Sequence, residues 1–150
     1  MKIKEFLMVY AIGSIGYRFI EILWRGRTHW SMGIVGGICF LCMYCIDIFV
    51  KASIWRRARY SALCVTAVEF VSGMILNIGL GMDVWDYSTL KWNLLGQVSL
   101  LYSVLWYFLC IPAHYLCRIV RHRIFGALPQ KKRHFPKFLK GSRTFGRKKT

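Results

Sequence analysis

Acidic side chains are scarce in this 150-residue sequence, which has six Asp and Glu against 22 Lys and Arg and no acid after Asp86. There is no G-x-x-x-x-G-K-[ST] loop to hold nucleotide phosphates, so ATP hydrolysis cannot reside in this chain. H-E-x-x-H, a Ser-centred nucleophile elbow and a paired His cluster are absent too. We therefore expect a protein that is not an enzyme and has no metal or cofactor. The enzymatic alternative that remains is unusual intramembrane chemistry that uses Glu69 or Asp86.

The six cysteines lack the regular spacing of a disulfide framework, because all of them lie within or at the ends of apolar segments. Cys39-x-x-Cys42-x-x-Cys45 has the spacing of a metal motif. On a helix, however, steps of three residues move around the axis, so three such thiols do not converge on one ion. We interpret the cysteines as small apolar packing residues.

Hydrophobicity and positive charge are both high. Hydrophobic residues make up 56% of the chain and the formal net charge is +16. A soluble domain is ordinarily about 45–50% apolar. The two properties are compatible when the charge lies outside apolar spans, and residues 118–150 carry twelve Lys and Arg. A nucleic-acid-binding domain would be basic as well, but without long apolar blocks, so no nucleic-acid partner is expected.

Four segments are long and apolar enough to cross a bilayer, which takes about 20 helical residues. They cover about 6–24, 30–50, 60–82 and 97–119. Only a helix satisfies its own backbone hydrogen bonds in lipid. The sequence thus predicts an all-α polytopic membrane protein. A bundle of about four transmembrane helices occupies residues 1–124, and a basic tail, disordered in water, occupies 125–150. Lys2 and Lys4 before an apolar run resemble a signal peptide, but we interpret the run as a retained first span.

The basic residues between the spans predict the orientation. The connection between spans two and three is basic and lies on the same side as the N-terminus and the tail. By the positive-inside rule both termini face the cytoplasm of a cell membrane. Arg25 and Arg27 on the opposite side are outnumbered. The residues that carry this prediction are Lys51, Arg56, Arg57 and Arg59.

The tail combines clusters of basic residues with scattered phenylalanines, among them Phe135, Phe138 and Phe145. This pattern suits an anionic lipid surface, where each basic residue contributes about 1 kcal/mol. It is equally compatible with a segment that only fixes topology. Both interpretations stay open from the sequence.

Small residues recur within the spans and indicate close helix contacts. Gly33-x-x-x-Gly37 opens the second span, Gly13 and Gly16 lie in the first, and Gly73 lies in the third. Without a hydrophobic driving force in lipid, such residues let helix backbones approach each other. They predict contact faces without naming the partner helix.

Charged residues inside a span are costly and usually have a partner. Arg18, Glu21 and Arg25 lie on one face of the first span, so they can neutralise one another locally. Asp47 precedes Lys51 by one helical turn, and we predict an ion pair between them.

Glu69 lies near the middle of the third span with no basic residue three or four positions away. Glu69, Gly73 and Asn77 follow one another at single helical turns and form a stripe. Arg18 lies at a similar depth in the first span, which predicts an Arg18–Glu69 bridge. Whether such a bridge is a structural clasp or part of a binding site is left open by the sequence.

The connection after the third span is the most distinctive segment. It contains Trp85-Asp86-Tyr87-Ser88 and, a little later, Asn93. Trp and Tyr favour the headgroup level, and Asp and Ser close turns through side-chain-to-backbone hydrogen bonds. The segment is either an aromatic anchor with a tight turn or a polar cap over an outward-opening cavity, with Asp86, Tyr87 and Asn93 as its roof.

Taken in order, four short stretches resemble the bacterial family labelled putative ABC-transporter type IV, over about residues 8–118. They are Gly16-Tyr-Arg-Phe-Ile-Glu21, Glu69-Phe-Val-Ser-Gly73-x-x-x-Asn77, Trp85-Asp86-Tyr87-Ser88 and Asn93-Leu94-x-Gly96. The resemblance implies an integral cytoplasmic-membrane protein with several helices and, by the family's label, a role in transport.

The sequence favours a transport-associated, permease-like membrane subunit with a polar site at the outer face. A homo-oligomer or a partner membrane subunit would be needed, because four helices enclose little space. The alternative is a non-transporting scaffold or regulator whose tail binds anionic lipid or a cytosolic partner. The candidate site residues are Arg18, Glu21, Glu69, Asn77, Asp86, Tyr87 and Asn93.

Overall fold

The computed structural model describes residues 2–126 and contains four long helices. Each is long and apolar enough to cross a membrane, so the predicted all-α, four-span fold is confirmed and the chain is a multi-pass membrane protein. The predicted disordered tail lies almost wholly outside the described residues. The helices are α1 (Ile3–Arg25), α2 (Trp30–Phe49), α3 (Ile54–Gly73) and α4 (Leu100–Ile119).

The ends of the helices differ from the ends of the apolar runs, because local hydrogen bonds determine where a helix begins and stops. α1 stops at Gly26, whose φ of 69° is the left-handed conformation that favours glycine at a helix end. α3 begins at Ile54, before its apolar run, because the basic turn 54–59 is helical too. α4 begins at Leu100, with the hydroxyl of Ser99 accepting a hydrogen bond from the Tyr102 N–H at 3.4 Å.

Two helices continue past their regular ends in wider, π-type turns. α3 extends through Met74–Gly79 and α4 through Val120–Ile124. Turns of this kind are rare and frequently occur at functional positions. Asn77, from the predicted stripe, lies in the first of them.

α1 and α2 approach closely through glycine. A Cβ at Gly36 would lie 2.2 Å from the Cβ of Tyr17, and one at Gly13 would lie 2.7 Å from the carbonyl oxygen of Gly36. Gly37 accommodates the ring of Tyr10 in the same way. The predicted small-residue contact is therefore an interface between α1 and α2. Gly16 takes no part in it, since no atom lies within 4 Å of its position for a Cβ.

The core lies where α2, α3 and α4 meet, and α1 is attached to it mainly through α2. Val35, Tyr44, Val65 and Cys110 are buried there. α1 and α4 stand apart and leave a groove between them. The outer faces of both helices carry many exposed large apolar side chains, as expected for surfaces in contact with lipid.

A small antiparallel ribbon, absent from the sequence prediction, lies in the connection between α3 and α4. It pairs β1 (Asn93–Leu94) with β2 (Val98–Ser99), with Asn93 opposite Ser99. Gly96, at a φ of 69°, lies in its turn. The short connection 26–29 and the long one 80–99 lie at the same end of the bundle, which we call the loop end. The end that carries the N-terminus is the terminal end.

Candidate functional site

Glu21 is the centre of a buried ion pair at the loop end. Its carboxylate accepts hydrogen bonds from Arg25 at 2.9 Å and from the hydroxyl of Thr28 at 2.6 Å. The other terminal nitrogen of Arg25 donates to the carbonyl oxygen of Val84 at 3.0 Å. The predicted local neutralisation of Glu21 by Arg25 is present, and it also ties α1 to the connection after α3.

Asn77 holds the start of that connection. Its amide nitrogen donates to the carbonyl oxygen of Trp85 at 2.9 Å and to the Oε1 of Gln97 at 2.8 Å, while its oxygen accepts from the Val84 N–H at 2.8 Å. All of these groups are buried. Every hydrogen-bonding atom of the amide is thus used inside the protein, which makes Asn77 a structural tether in this conformation.

Gln97 is the partner that sequence reasoning missed. Its side chain lies against Gly73, where a Cβ would meet the Gln97 Oε1 at 2.4 Å. Its carbonyl oxygen accepts from the indole N–H of Trp85 at 2.8 Å. The Gly73–Asn77 half of the predicted stripe therefore marks where Gln97 packs. The available signal was the single polar side chain of Gln97 at the start of the fourth apolar run.

Asp86 and Asn93 shape the turn that precedes the ribbon. Asp86 accepts from the N–H and the hydroxyl of Ser88, at 2.7 and 2.8 Å. The Ser88 N–H, with its hydroxyl, lowers the pKa of the exposed Asp86 carboxyl below its ordinary value. Asn93 donates to the carbonyl oxygen of Leu90 at 2.7 Å and accepts from the Gly96 N–H at 3.0 Å. The tight turn that the sequence predicted for this segment is present.

Tyr87 connects this turn to α4. Its ring stacks on Tyr102, with the centroids 4.4 Å apart. Burial raises the pKa of Tyr87 above its ordinary value, and the negative charge of Glu69 adds to the effect. The Tyr87 hydroxyl is therefore neutral at physiological pH.

Glu69 is 3% exposed, and its partner is not Arg18. The hydroxyl of Tyr17 donates to Glu69 Oε1 at 3.3 Å. Arg18 is exposed, and its aliphatic stem lies against Gly33. The expected Arg18–Glu69 bridge is wrong because Arg18 points to a different face of α1, and the neighbouring residue Tyr17 reaches the carboxyl instead.

A stacked aromatic pair covers Glu69. The rings of Tyr17 and Trp106 lie 5.5 Å apart between centroids and 23° from parallel. The indole N–H of Trp106 is close to the Glu69 carboxyl. It is buried, and within residues 2–126 it makes no hydrogen bond of good geometry. Glu69 is therefore surrounded by aromatic side chains rather than by cations.

Two cavities flank this pair in the groove between α1 and α4. The one at the loop end has a volume of about 220 Å³ and contains the Glu21–Arg25 pair at its wall. The second, of about 250 Å³, extends toward the terminal end past Gly16 and Pro112. Aromatic rings dominate the wall of the first cavity: Tyr17, Trp24, Trp85, Tyr87, Tyr102 and Trp106.

A second buried carboxylate, Asp47, lies toward the terminal end. Its Oδ1 lies 2.6 Å from Arg57, 3.4 Å from Arg118 and 3.6 Å from the Nδ1 of His114. The expected Asp47–Lys51 pair is wrong, because cations from α3 and α4 reach the carboxylate across the helix interface. Asp47 therefore ties three helices together.

Ser61, His114 and Asp47 lie in a row that resembles a nucleophile with its base and orienting acid. The Ser61 hydroxyl and the Nε2 of His114 are 2.9 Å apart. Both residues are 0% exposed, so water or a substrate cannot reach the hydroxyl in this conformation. The arrangement is a buried polar contact between α3 and α4.

The seven predicted site residues divide into groups. Glu21 and Tyr87 line the loop-end cavity, and Glu69 lies behind it. Asn77, Asp86 and Asn93 use their hydrogen bonds to shape the loop, and Arg18 lies on the exposed side of α1. The aromatic lining residues that sequence reasoning missed are Tyr17, Trp24, Tyr102 and Trp106. Their spacing on apolar helices does not distinguish a cavity wall from a lipid-facing surface.

Comparison with known proteins gives one family. The model of the family described as "Putative ABC-transporter type IV" matches residues 5–139. No curated protein and no solved structure matches the chain.

Proposed function

The chain belongs to the putative ABC-transporter type IV family, and on this premise we propose that it is a permease-like membrane subunit of a transport system. The observation that carries the proposal is the aromatic-lined cavity of about 220 Å³ between α1 and α4. Ligand sites in membrane bundles are commonly such concave, largely apolar spaces with a few polar groups. Here the polar groups are Glu21 and Arg25, with Glu69 behind the wall.

The proposed subunit binds its ligand without catalysing a reaction. Energy for transport comes from a second chain, because this one has no phosphate-binding loop. The groove between α1 and α4 is open on one side, so a second copy or a partner membrane subunit completes the pathway. The exposed apolar side chains of both helices support such a contact within the membrane.

The loop end faces outward in this proposal, and both termini are in the cytoplasm of a cell membrane. The Lys and Arg residues of the terminal end and of residues 118–150 support this orientation. A cysteine introduced at Ser88, in a background without the native cysteines, should react with an impermeant thiol reagent in intact cells. A cysteine at Phe145 should not.

The basic tail adds a contact with anionic lipid headgroups. Residues 125–150 carry nine Lys and Arg and no acid. Attraction to an anionic leaflet would hold this segment at the membrane surface and weaken as salt rises. This property also supports the second candidate function, a scaffold or regulator that transports nothing.

Purification from native membranes in mild detergent tests the proposal against this second candidate. We expect a chain with a nucleotide-binding loop to copurify and to hydrolyse ATP. Leu105→Trp, which places a large ring in the loop-end cavity, should change the ATPase rate without releasing the partner. Leu101→Trp, the same substitution at an exposed position of α4 that lines neither cavity, is the matched control. Recovery of the intact chain without an ATPase would favour the scaffold.

A further inference from the structure

Glu69 is a buried carboxylate without a cationic partner. It lies in a membrane-spanning helix and is 3% exposed. Its contacts are the hydroxyl of Tyr17 and the nearby indole of Trp106. Among residues 2–126, no Lys, Arg or His lies within ion-pair distance of it. An ionisable group inside a membrane is costly to maintain, and it usually marks a site for an ion or a substrate.

The cation nearest the cavity is already engaged. Arg25 forms its ion pair with Glu21 at 2.9 Å and uses its other terminal nitrogen on the carbonyl oxygen of Val84. The pair is locally neutral. The charge that lacks compensation around the cavity is therefore the single negative charge that Glu69 carries when ionised.

The wall in front of Glu69 is suited to a positive charge on an apolar body. Tyr17 and Trp106 line both cavities and present ring surface to them. Aromatic faces attract cations within about 6 Å of the ring centroid, most strongly when water is excluded. A small inorganic cation fits poorly, because few oxygen atoms line the cavity to replace its water.

We propose that the loop-end cavity binds a monovalent organic cation with apolar substituents, of the quaternary ammonium type. Glu69 compensates the charge, Tyr17 and Trp106 face the cationic centre, and the remaining aromatic and aliphatic wall accepts the substituents. The inference rests on the proposed function, since it names the class of ligand that the permease-like subunit takes. It concerns binding alone and is testable on the isolated chain.

Binding of radiolabelled phenyltrimethylammonium to the full-length protein in lipid nanodiscs tests the proposal. Its neutral isostere, tert-butylbenzene, has the same shape with carbon in place of the charged nitrogen. We expect saturable binding of the cation that a matched concentration of the isostere does not displace. Glu69→Gln should weaken the binding about tenfold or more, which corresponds to about 1.4 kcal/mol. Glu5→Gln, the same substitution at the terminal end, should leave it unchanged.

The binding and displacement measured on the wild-type protein do not depend on whether any variant folds. Displacement of the cation by tert-butylbenzene would show a purely apolar cavity and overturn the proposal, as would the absence of saturable binding. Unchanged affinity in a folded Glu69→Gln protein would contradict the role of the carboxylate. If an ATPase copurifies but the cation does not bind, the ligand class fails and the transport proposal stands. If the cation binds but no ATPase copurifies, the ligand class stands and the transport proposal fails.

Discussion

Asp47 and Glu69 are almost equally buried, at 4% and 3% exposure, but their surroundings are opposite. Asp47 lies within 3.6 Å of two guanidinium groups and an imidazole. Glu69 has a tyrosine hydroxyl and an indole. Burial alone therefore does not reveal the role of a carboxylate in a membrane. Asp47, with protein cations around it, holds helices together, whereas Glu69 has no cation from the described residues, and we propose that the charge of a ligand takes that place.

The two sides of α1 show the same contrast in packing. On one side Gly13, Gly36 and Gly37 bring its backbone against α2. On the other side the groove toward α4 contains two cavities. Tyr17 belongs to both sides, because its Cβ lies against Gly36 and its hydroxyl reaches Glu69. The packed side thus positions the side chain that covers the carboxylate.

The largest expected effect is a difference in stability between the Asp47 and Glu69 variants. Asp47→Asn leaves Arg57 and Arg118 without their anion, and removing one partner of a buried ion pair costs about 3 kcal/mol. Glu69→Gln keeps a hydrogen-bond acceptor for Tyr17 and should change stability by less than about 1 kcal/mol. Thermal unfolding in detergent, followed by circular dichroism, measures both.

Asp83→Asn serves as the control for that pair of variants, because Asp83 is an exposed acid at a φ of 46°, which Asn tolerates. It should leave the unfolding temperature unchanged. A Glu69→Gln protein as unstable as Asp47→Asn would mean that both carboxylates are structural, and the contrast would be lost.

The next effect compares the side of α1 that packs against α2 with the side that faces the groove toward α4. Gly36→Ala places a Cβ within 2.2 Å of Tyr17 Cβ. Overpacking of this kind costs about 2 kcal/mol and should displace Tyr17 from Glu69. Gly16→Ala meets no atom within 4 Å and gains helix propensity, so it should be neutral or slightly stabilising. Equal losses in unfolding temperature for the two variants would show that α1 is packed on both sides.

The spans and the local contacts were predictable, because they depend on short stretches of sequence. Four apolar runs indicated four helices, the spacing of Glu21 and Arg25 indicated their pair, and the Asp86–Ser88 turn followed from side-chain chemistry. The start of α3 at Ile54 was missed, because helical hydrogen bonds continue into a basic turn where hydropathy ends.

Contacts between helices were less accessible from one sequence. Similar depth suggested Arg18 for Glu69, but adjacent residues on a helix point about 100° apart. Depth along the axis cannot distinguish Arg18 from Tyr17. For Asp47 the local partner Lys51 was favoured, whereas Arg57 and Arg118 reach it from other helices. The rotation of each helix about its axis is set by tertiary packing, which spacing along one chain does not record.

A smaller effect concerns Arg18. Since Arg18 is exposed and Tyr17 contacts Glu69, the stability changes of Arg18→Gln and Glu69→Gln should add in the double variant within about 0.5 kcal/mol. A double-mutant cycle of unfolding free energies measures the coupling. Recovery of stability in the double variant would show that Arg18 and Glu69 do pair. Glu69 would then not be an unpaired carboxylate, and the contrast with Asp47 would be lost.

The smallest effect is local and depends on pH. The Ser88 N–H lowers the pKa of Asp86 in the folded protein, so the turn is stabilised above the unfolded pKa. This stabilisation is lost as pH falls through the folded value, below about pH 4. Amide exchange at Ser88 should accelerate there, after correction for intrinsic exchange. Asp86→Asn should remove the pH dependence, and an unchanged profile in that variant would contradict the assignment to Asp86.

Carboxyl modification tests most directly whether Glu69, unlike Asp47, is available from the groove. A hydrophobic carbodiimide reacts with protonated carboxyl groups that it can reach from the membrane, and peptide mass spectrometry locates the adduct. We expect modification of Glu69 but not of Asp47 at mildly acidic pH, and less modification of Glu69 when phenyltrimethylammonium is present. Modification of Asp47 to the same extent, or an unmodified Glu69 in the folded protein, would contradict the account.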